Sequence, residues 1–333
     1  MSWSTFRTFT DLDAYHAAFR DMRAKSFITE RGNFRANFTT IQLDRLSLQG
    51  AEETLPRTAY SGLDPRKFAI GFPTHPRQRL YVNGLEVVPG AIIVLRAASE
   101  GHFRYDSASR WGSIAQPHED VAAAGQTLIG RELIAPPHTH LIKPSPPLLS
   151  KLLSLHKALS HLAKAAPEVL ASAEVARALE QALTRVMIQC LSESQGIEVG
   201  SAYWRHAAVM RRLENFLEAN PDSTLHLTDL CAAAAASDRT LRILCHEHLG
   251  MSPTRYLWLR RMHLARRALR TADPTTTTVT EIATSCAFWE LGRFAVAYRS
   301  LFGETPSATL RRPPEDPRRK RIFGSPWRLP ESA

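Results

Sequence analysis

Arg239 and Arg242 stand three residues apart in "SDRTLRILC" (237–245), and Arg293 stands in "WELGRFAVAYRSLF" (289–302). A guanidinium is a planar fork of donors that fits a phosphate or the edge of guanine better than an ammonium does. Spaced by three on a helix, the first two arginines share a face. The other groups with possible chemistry are weaker. His138-Thr139-His140 has the alternation by which a barrel strand can hold a metal, but Pro136-Pro137 before it and prolines after it point to a loop with solvated histidines. His246 and His248, two apart on a helix, cannot share an ion. Neither a nucleophile elbow nor a phosphate-cradling glycine loop is present, so catalysis, metal and cofactor have no positive support.

The arginines need a scaffold, and the sequence supplies it twice. "LTDLCAAAAASDRTLRILCHEHLGMSP" (227–253) aligns with "VTEIATSCAFWELGRFAVAYRSLFGETP" (279–306). Thr228-Asp229-Leu230 matches Thr280-Glu281-Ile282 and Ala235 matches Ala287; after one extra residue, Leu241 matches Phe294, Cys245 matches Tyr298, Gly250 matches Gly303 and Pro253 matches Pro306. Each copy predicts an acidic helix start, a helix of small residues, a tight turn, a second helix with an apolar stripe, and a glycine stop before proline. In a helix-turn-helix the first helix crosses the second closely, which explains the alanine run. Ser237 is placed to cap the second helix of the first copy, leaving Asp238, Arg239 and Arg242 at its exposed start. Such positions enter the major groove when this motif binds DNA. Between the copies, "PTRYLWLRRMHLARRALRTAD" (253–273) predicts a rigid helix with Tyr256, Leu257, Leu264, Ala265 and Leu269 inside and its arginines outside. Leu241, Leu244, Phe294 and Tyr298 are expected core, and Trp258 and Trp289 packing residues.

The 333-residue chain is long enough for two or three domains, with 44% hydrophobic and 22% charged residues. Its net charge of +10 is uneven. The residues after 200 carry 20 basic side chains, 19 of them arginine, against 13 acidic ones. That excess suits a nucleic-acid partner, although charge alone is only a weak pointer. Cys190, Cys231, Cys245 and Cys286 lack CxxC spacing and read as reduced thiols. The polar N-terminus is no signal peptide, and "AIIVL" (91–95) is too short to cross a bilayer, so a cytoplasmic location is expected.

Upstream, residues 34–134 alternate like antiparallel β structure: Phe34, Ala36 and Phe38 oppose Arg35, Asn37 and Thr39, with turns at Asn83-Gly84 and Pro89-Gly90. A small barrel or sandwich is expected, closed by a proline-rich linker at 135–147. From 148 the period becomes helical. Leu148, Leu152, Leu155, Leu159 and Leu162 precede Pro167, and Val175, Leu179, Ala182, Val186 and Cys190 follow, an αα-hairpin that either packs on the β block or self-associates. The tail at 312–333, with "RRKR" (318–321), has no packing face and reads as disordered.

From Tyr203 to Arg311, above all in "HLGMSPTRYLWLRRMHLARRALR" and "VTEIATSCAFWELGRFAVAYRSLFGETPSATLRR", the chain resembles the DNA-binding domain of the AraC/XylS transcription regulators. More weakly, "EETLPRTAYSGL" and "RWGSI" resemble the cupin-like sensor domain of that family. The resemblance implies an α+β multidomain protein: a cupin-like β-barrel with its linker at 1–147, a dimerising helical hairpin at 148–200, and an all-α double helix-turn-helix at 203–311. It also implies a small-molecule effector, a homodimer, promoter direct repeats as the DNA target, and RNA polymerase as a partner. The DNA-binding positions it implies are Asp238, Arg239, Thr240, Arg242 and Ile243 in the first copy, and Glu290, Leu291, Gly292, Arg293, Val296 and Arg299 in the second. Two departures stand out: Ala235 and Ala287 occupy turn positions where the family often has glycine, and Trp289 occupies the usual small polar cap. Since Gly292 and Val296 offer no hydrogen bond, Arg293 is left as the main polar reader of the second copy and the halves are expected to be unequal, with the first helix carrying most base discrimination and the second mostly positioning the protein through phosphates. Two alternatives stay open: a metal-dependent cupin enzyme fused to a DNA-binding module, and a ligand-independent DNA binder.

Overall fold

The computed structural model describes residues 2–95, 100–134, 138–197, 199–220 and 225–312. The basic tail lies outside the described residues from 313 onward. The chain divides into two compact units, Met1–Ile28 with Phe34–Tyr203 and Thr29–Asn33 with Trp204–Ala333.

The first unit begins with β1 (Trp3–Phe9), α1 (Leu12–His16) and β2 (Met22–Ile28). Nine strands follow: β3 (Ala36–Gln42), β4 (Ser47–Glu53), β5 (Arg57–Leu63), β6 (Lys67–Pro73), β7 (Leu80–Val82), β8 (Leu85–Glu86), β9 (Ile92–Leu95), β10 (Glu100–Tyr105) and β11 (Ser109–Pro117). Next come α2 (His118–Ile129), β12 (His140–Lys143), α3 (Pro146–Ala165), α4 (Pro167–Ala171), α5 (Ala173–Ser192) and β13 (Gln195–Gly196). The strands form two antiparallel sheets, ordered β1-β3-β4-β11-β6-β9-β12-β13 and β2-β5-β10-β7-β8. Asn83 and Gly84, at φ 51° and 84°, make the tight β7–β8 turn that their sequence predicts.

Two apolar layers hold this unit together. One lies between the sheets and includes Phe38, Ala69, Leu80, Ile93, Tyr105 and Trp111. The other covers the outer face of the larger sheet, where Ile70, Val94 and Ile114 meet Leu152 and Leu159 of α3 and Leu183, Val186 and Met187 of α5. The hairpin of leucines therefore buries its stripe on the sheet. Burial on both faces also explains why β6 and β9 read as continuous apolar runs rather than alternating ones.

Three expectations about this unit need correction. Residues 118–129 are helix rather than strand: Glu119 and Asp120 lie in the first turn of α2, beside its positive dipole end, and Gly130 closes it with a left-handed φ of 72°. Residues 138–147 of the expected linker are not one, because Leu141 and Ile142 are buried and β12 pairs with β9, while 135–137 lie outside the described residues. His140 consequently starts a strand instead of lying in a loop.

The second unit contains α6 (Ser201–Ala219) from Trp204 onward, α7 (Leu227–Ala234), α8 (Asp238–Leu249), α9 (Pro253–Thr271), α10 (Val279–Ser285), α11 (Leu291–Phe302) and α12 (Pro306–Arg311). The expectation that α9 turns all its arginines outward fails at Arg260, which is 5% exposed. Its Nη1 donates to Glu214 Oε2 of α6 at 2.9 Å and its Nη2 to Glu218 Oε1 at 3.1 Å, while Tyr256 Oη donates to Glu214 Oε1 at 2.6 Å. A charge is tolerated at that depth only when paired and hydrogen-bonded.

Candidate nucleic-acid interface

The sequence repeat is a structural repeat. At the head of α7 the Asp229 carboxylate accepts from His226 N at 2.7 Å, and at the head of α10 Glu281 accepts from Thr278 N at 2.7 Å. Both first helices end in the same way. Ala235 (φ 50°) and Ala287 (φ 59°) are left-handed, and the next residues close back five positions, Ala236 N to Cys231 O at 3.1 Å and Phe288 N to Ala283 O at 2.9 Å. An arginine from the preceding long helix reaches each of these ends: Arg212 of α6 donates to Ala234 O at 2.8 and 3.0 Å, and Arg261 of α9 to Ala287 O at 3.3 Å. Sequence reasoning missed both, because α6 and α9 carry several arginines and nothing local marks these two. Gly250 and Gly303 then stop α8 and α11 in left-handed conformations, and Ser252 and Thr305 cap the helices that follow.

The second helices differ at their starts. Ser237 Oγ accepts from Thr240 N at 3.2 Å, the cap that its position predicts. α11 starts from Glu290 without a side-chain cap, and Trp289, expected to pack, is 72% exposed. Trp258 is half-buried, with the Arg255 guanidinium 3.9 Å over its ring. Leu241, Leu244, Phe294 and Tyr298 are buried, so each helix turns one face inward and one out.

All eleven residues singled out from the sequence lie on the outward faces of α8 and α11 or at their N-terminal ends. Asp238, Arg239, Thr240, Arg242 and Ile243 are exposed, as are Glu290, Leu291, Gly292, Arg293, Val296 and Arg299. Their polar groups are not equivalent. Arg242 Nε donates to Asp238 Oδ1 at 2.6 Å, and Arg293 Nη1 to Glu290 Oε1 at 3.0 Å, so each of these cations has a carboxylate beside it. The Asp238 carboxylate raises the Arg242 pKa further above its ordinary value. Arg239 and Arg299 have no side-chain partner among the described residues. Such a surface offers two unpaired guanidiniums, two ion pairs that can exchange a carboxylate for a phosphate, and exposed aliphatic groups between them.

No cluster of three or more His, Cys, Asp or Glu side chains suited to a metal occurs among the described residues. No helix among them is long and apolar enough to cross a membrane. The four cysteines are free thiols.

A family model described as a helix-turn-helix domain matches residues 230–312. The chain is 39% identical over 101 residues to XylDLEGF operon transcriptional activator 3 of Pseudomonas putida, covering 30% of each chain. It is 37% identical over 106 residues to the probable thc operon regulatory protein of Rhodococcus erythropolis, covering 32% of each. The chain thus spans about a third of the length of these relatives. Among solved structures, ToxT from Vibrio cholerae O395 aligns over 87% of this chain and 97% of its own at 11% identity, with a TM-score of 0.30.

Proposed function

We infer that this chain, whose C-terminal region is a helix-turn-helix domain of the AraC/XylS type, is a sequence-specific DNA-binding transcription regulator that responds to a small-molecule effector. The observation carrying the reading is the duplicated motif with its two outward helix faces, on which every sequence-selected residue is exposed. In this reading α8 and α11 enter the major groove at two half-sites arranged as a direct repeat. Asp238, Arg239, Thr240, Arg242 and Ile243 serve the first, and Glu290, Leu291, Gly292, Arg293, Val296 and Arg299 the second. Arg239 is the best base reader on α8, because no carboxylate among the described residues competes for its donors.

The effector belongs in the β unit, the cupin-like sensor of this reading. An apolar cavity open to solvent lies between the two sheets and is lined by Phe19, Phe103, Tyr105, Trp111, Gly71 and Arg57 among others. Its lining, largely apolar with a few polar groups, is of the kind that small-molecule sites have. Arg57 is held by Glu53 through Nε–Oε2 at 2.5 Å and Nη2–Oε1 at 2.8 Å, so the wall carries no uncompensated cation there. The effector is read as shifting how the DNA-binding domains of a homodimer meet the promoter and RNA polymerase, with activation as the direction that the relatives' names give. With its leucine stripe buried on the sheet, the helical segment 148–200 would supply the dimer contact through its opposite, outward face. The protein works in the cytoplasm and is not an enzyme.

Selection of duplexes from a random library by the full chain, followed by footprinting, tests this reading. The expected result is one recovered sequence with two protected half-sites on one face of the duplex. Arg239→Ala should cost about 1–3 kcal/mol on that site and relax preference at one base pair. Recovery of no consensus, with affinity set by salt alone, would reject sequence-specific regulation. Equal weakening of all sequences would move Arg239 to the phosphates.

A further inference from the structure

On α11, Gly292, Val296 and Arg299 lie at i, i+4 and i+7, so they form one outward stripe, with Arg293 beside it. Its central residue is a 73% exposed valine. A lone exposed aliphatic is ordinary, but this one recurs: the 53-residue offset that pairs Leu241 with Phe294 pairs Ile243 with Val296, and Ile243 is 47% exposed. Both second helices therefore hold a β-branched aliphatic group out at the same point.

Gly292 adds an independent observation. A Cβ there would meet nothing within 4 Å, and the residue sits in an ordinary helical conformation. Neither packing nor backbone geometry requires glycine, yet glycine weakens a helix relative to alanine. The space it leaves, one turn before Val296, suits close approach by something outside the chain. The stripe is flanked by arginines and belongs to the arginine-rich part of the sequence, which favours a polyanion over an apolar protein partner.

Building on the DNA-binding reading, we propose that the second helix-turn-helix recognises its half-site through the 5-methyl groups of thymine, with Val296 as the central contact and Gly292 as the point of closest approach. The thymine methyl is the apolar group that base pairs present in the major groove, and an aliphatic side chain identifies it by excluding water. Arg293 and Arg299 hold phosphates on either side. Ile243 makes the corresponding contact in the other half-site. The second helix thus discriminates bases through methyl contact, where its sequence predicts Arg293 as the main polar reader and mostly phosphate positioning.

The test replaces thymines of the selected duplex one at a time with deoxyuridine, which deletes only the methyl, and measures affinity of the full chain by fluorescence anisotropy. At one position in one half-site, deoxyuridine should weaken wild-type binding roughly fourfold, the worth of one buried methyl. Val296→Ala should bind the thymine and deoxyuridine duplexes equally at that position, while Ile243→Ala should lose discrimination only in the other half-site. Gly292→Ala should raise the melting temperature and lower affinity for the selected duplex. The proposal fails if wild-type protein tolerates every deoxyuridine, or if Val296→Ala retains the full deoxyuridine penalty. If selection yields no preferred sequence, the DNA-binding reading itself falls, an outcome distinct from a preferred sequence that is indifferent to methyl loss.

Discussion

Gly50 and Gly112 face each other across β4 and β11, and the notch they leave is filled by His156 of α3. A Cβ on Gly50 would lie 2.5 Å from His156 Nε2 and one on Gly112 2.7 Å from it, so the helix docks this closely only because both strands carry glycine there. The ring is 7% exposed and its Nε2 has no hydrogen-bond partner among the described residues.

Burial pushes the His156 pKa down to about 4, against a hydrogen bond with the Gln49 backbone that acts in the opposite direction. An unfolded chain takes up this proton near pH 6.5, so stability from the neutral ring is complete above that pH and drains away as pH falls towards 4. Between pH 7.5 and 5.0 the loss from this one group is about 2 kcal/mol. Urea unfolding of wild type and His156→Gln at the two pH values checks it. The variant should lose less stability than wild type over the interval by that amount; equal losses would show that His156 is not the group responsible.

Ala235 and Ala287 hold left-handed conformations that cost an L-residue energy and cost glycine nothing. Glycine's greater freedom in the unfolded chain offsets part of the relief. Ala235→Gly and Ala287→Gly should each therefore stabilise the helix-turn-helix unit by about 0.5–1 kcal/mol. Ala232→Gly, in the body of α7, should destabilise it by about 1 kcal/mol. Thermal melts of the three variants decide the matter, and a loss of stability at 235 and 287 matching that at 232 would contradict the strain assigned to these turns.

The parts legible in the sequence are those fixed by local chemistry. Ser237, Gly250 and Pro253 mark a helix start and stop without reference to anything distant, and their counterparts Gly303 and Pro306 repeat the signal, so the double motif and its outward faces could be read directly. Arg260 could not. Its burial depends on Glu214, 46 positions earlier in the chain, and a surface arginine has the same local sequence. Strand β1 was missed for a similar reason: "WSTFRTF" becomes a strand by pairing with β3, and only Phe9 at its end is buried. Trp289 misled in the opposite direction, since a large aromatic suggests packing while its place before α11 leaves it in solvent.

Gly71 offers the cleanest access to the effector question. It lies on β6 between Ile70 and Phe72, which face the helices, so its own side-chain position faces the space between the sheets. A Cβ there would come no nearer than 3.9 Å to Ile93 Cδ1 and 4.0 Å to Gly112 O, ordinary contact distances. Gly71→Leu seats its Cβ at ordinary contact distance and directs the rest of its side chain into the cavity, so it should close the space to a ligand while the ligand-free melting temperature stays close to that of wild type. Compounds from a metabolite panel that raise the wild-type melting temperature do so by binding the native state; on Gly71→Leu they should have no effect, while affinity for the selected duplex in the absence of effector stays within twofold, roughly the scatter of distant substitutions. A variant that still responds to the same compounds would place the effector elsewhere. One that melts well below wild type would show that position 71 has no room for a side chain.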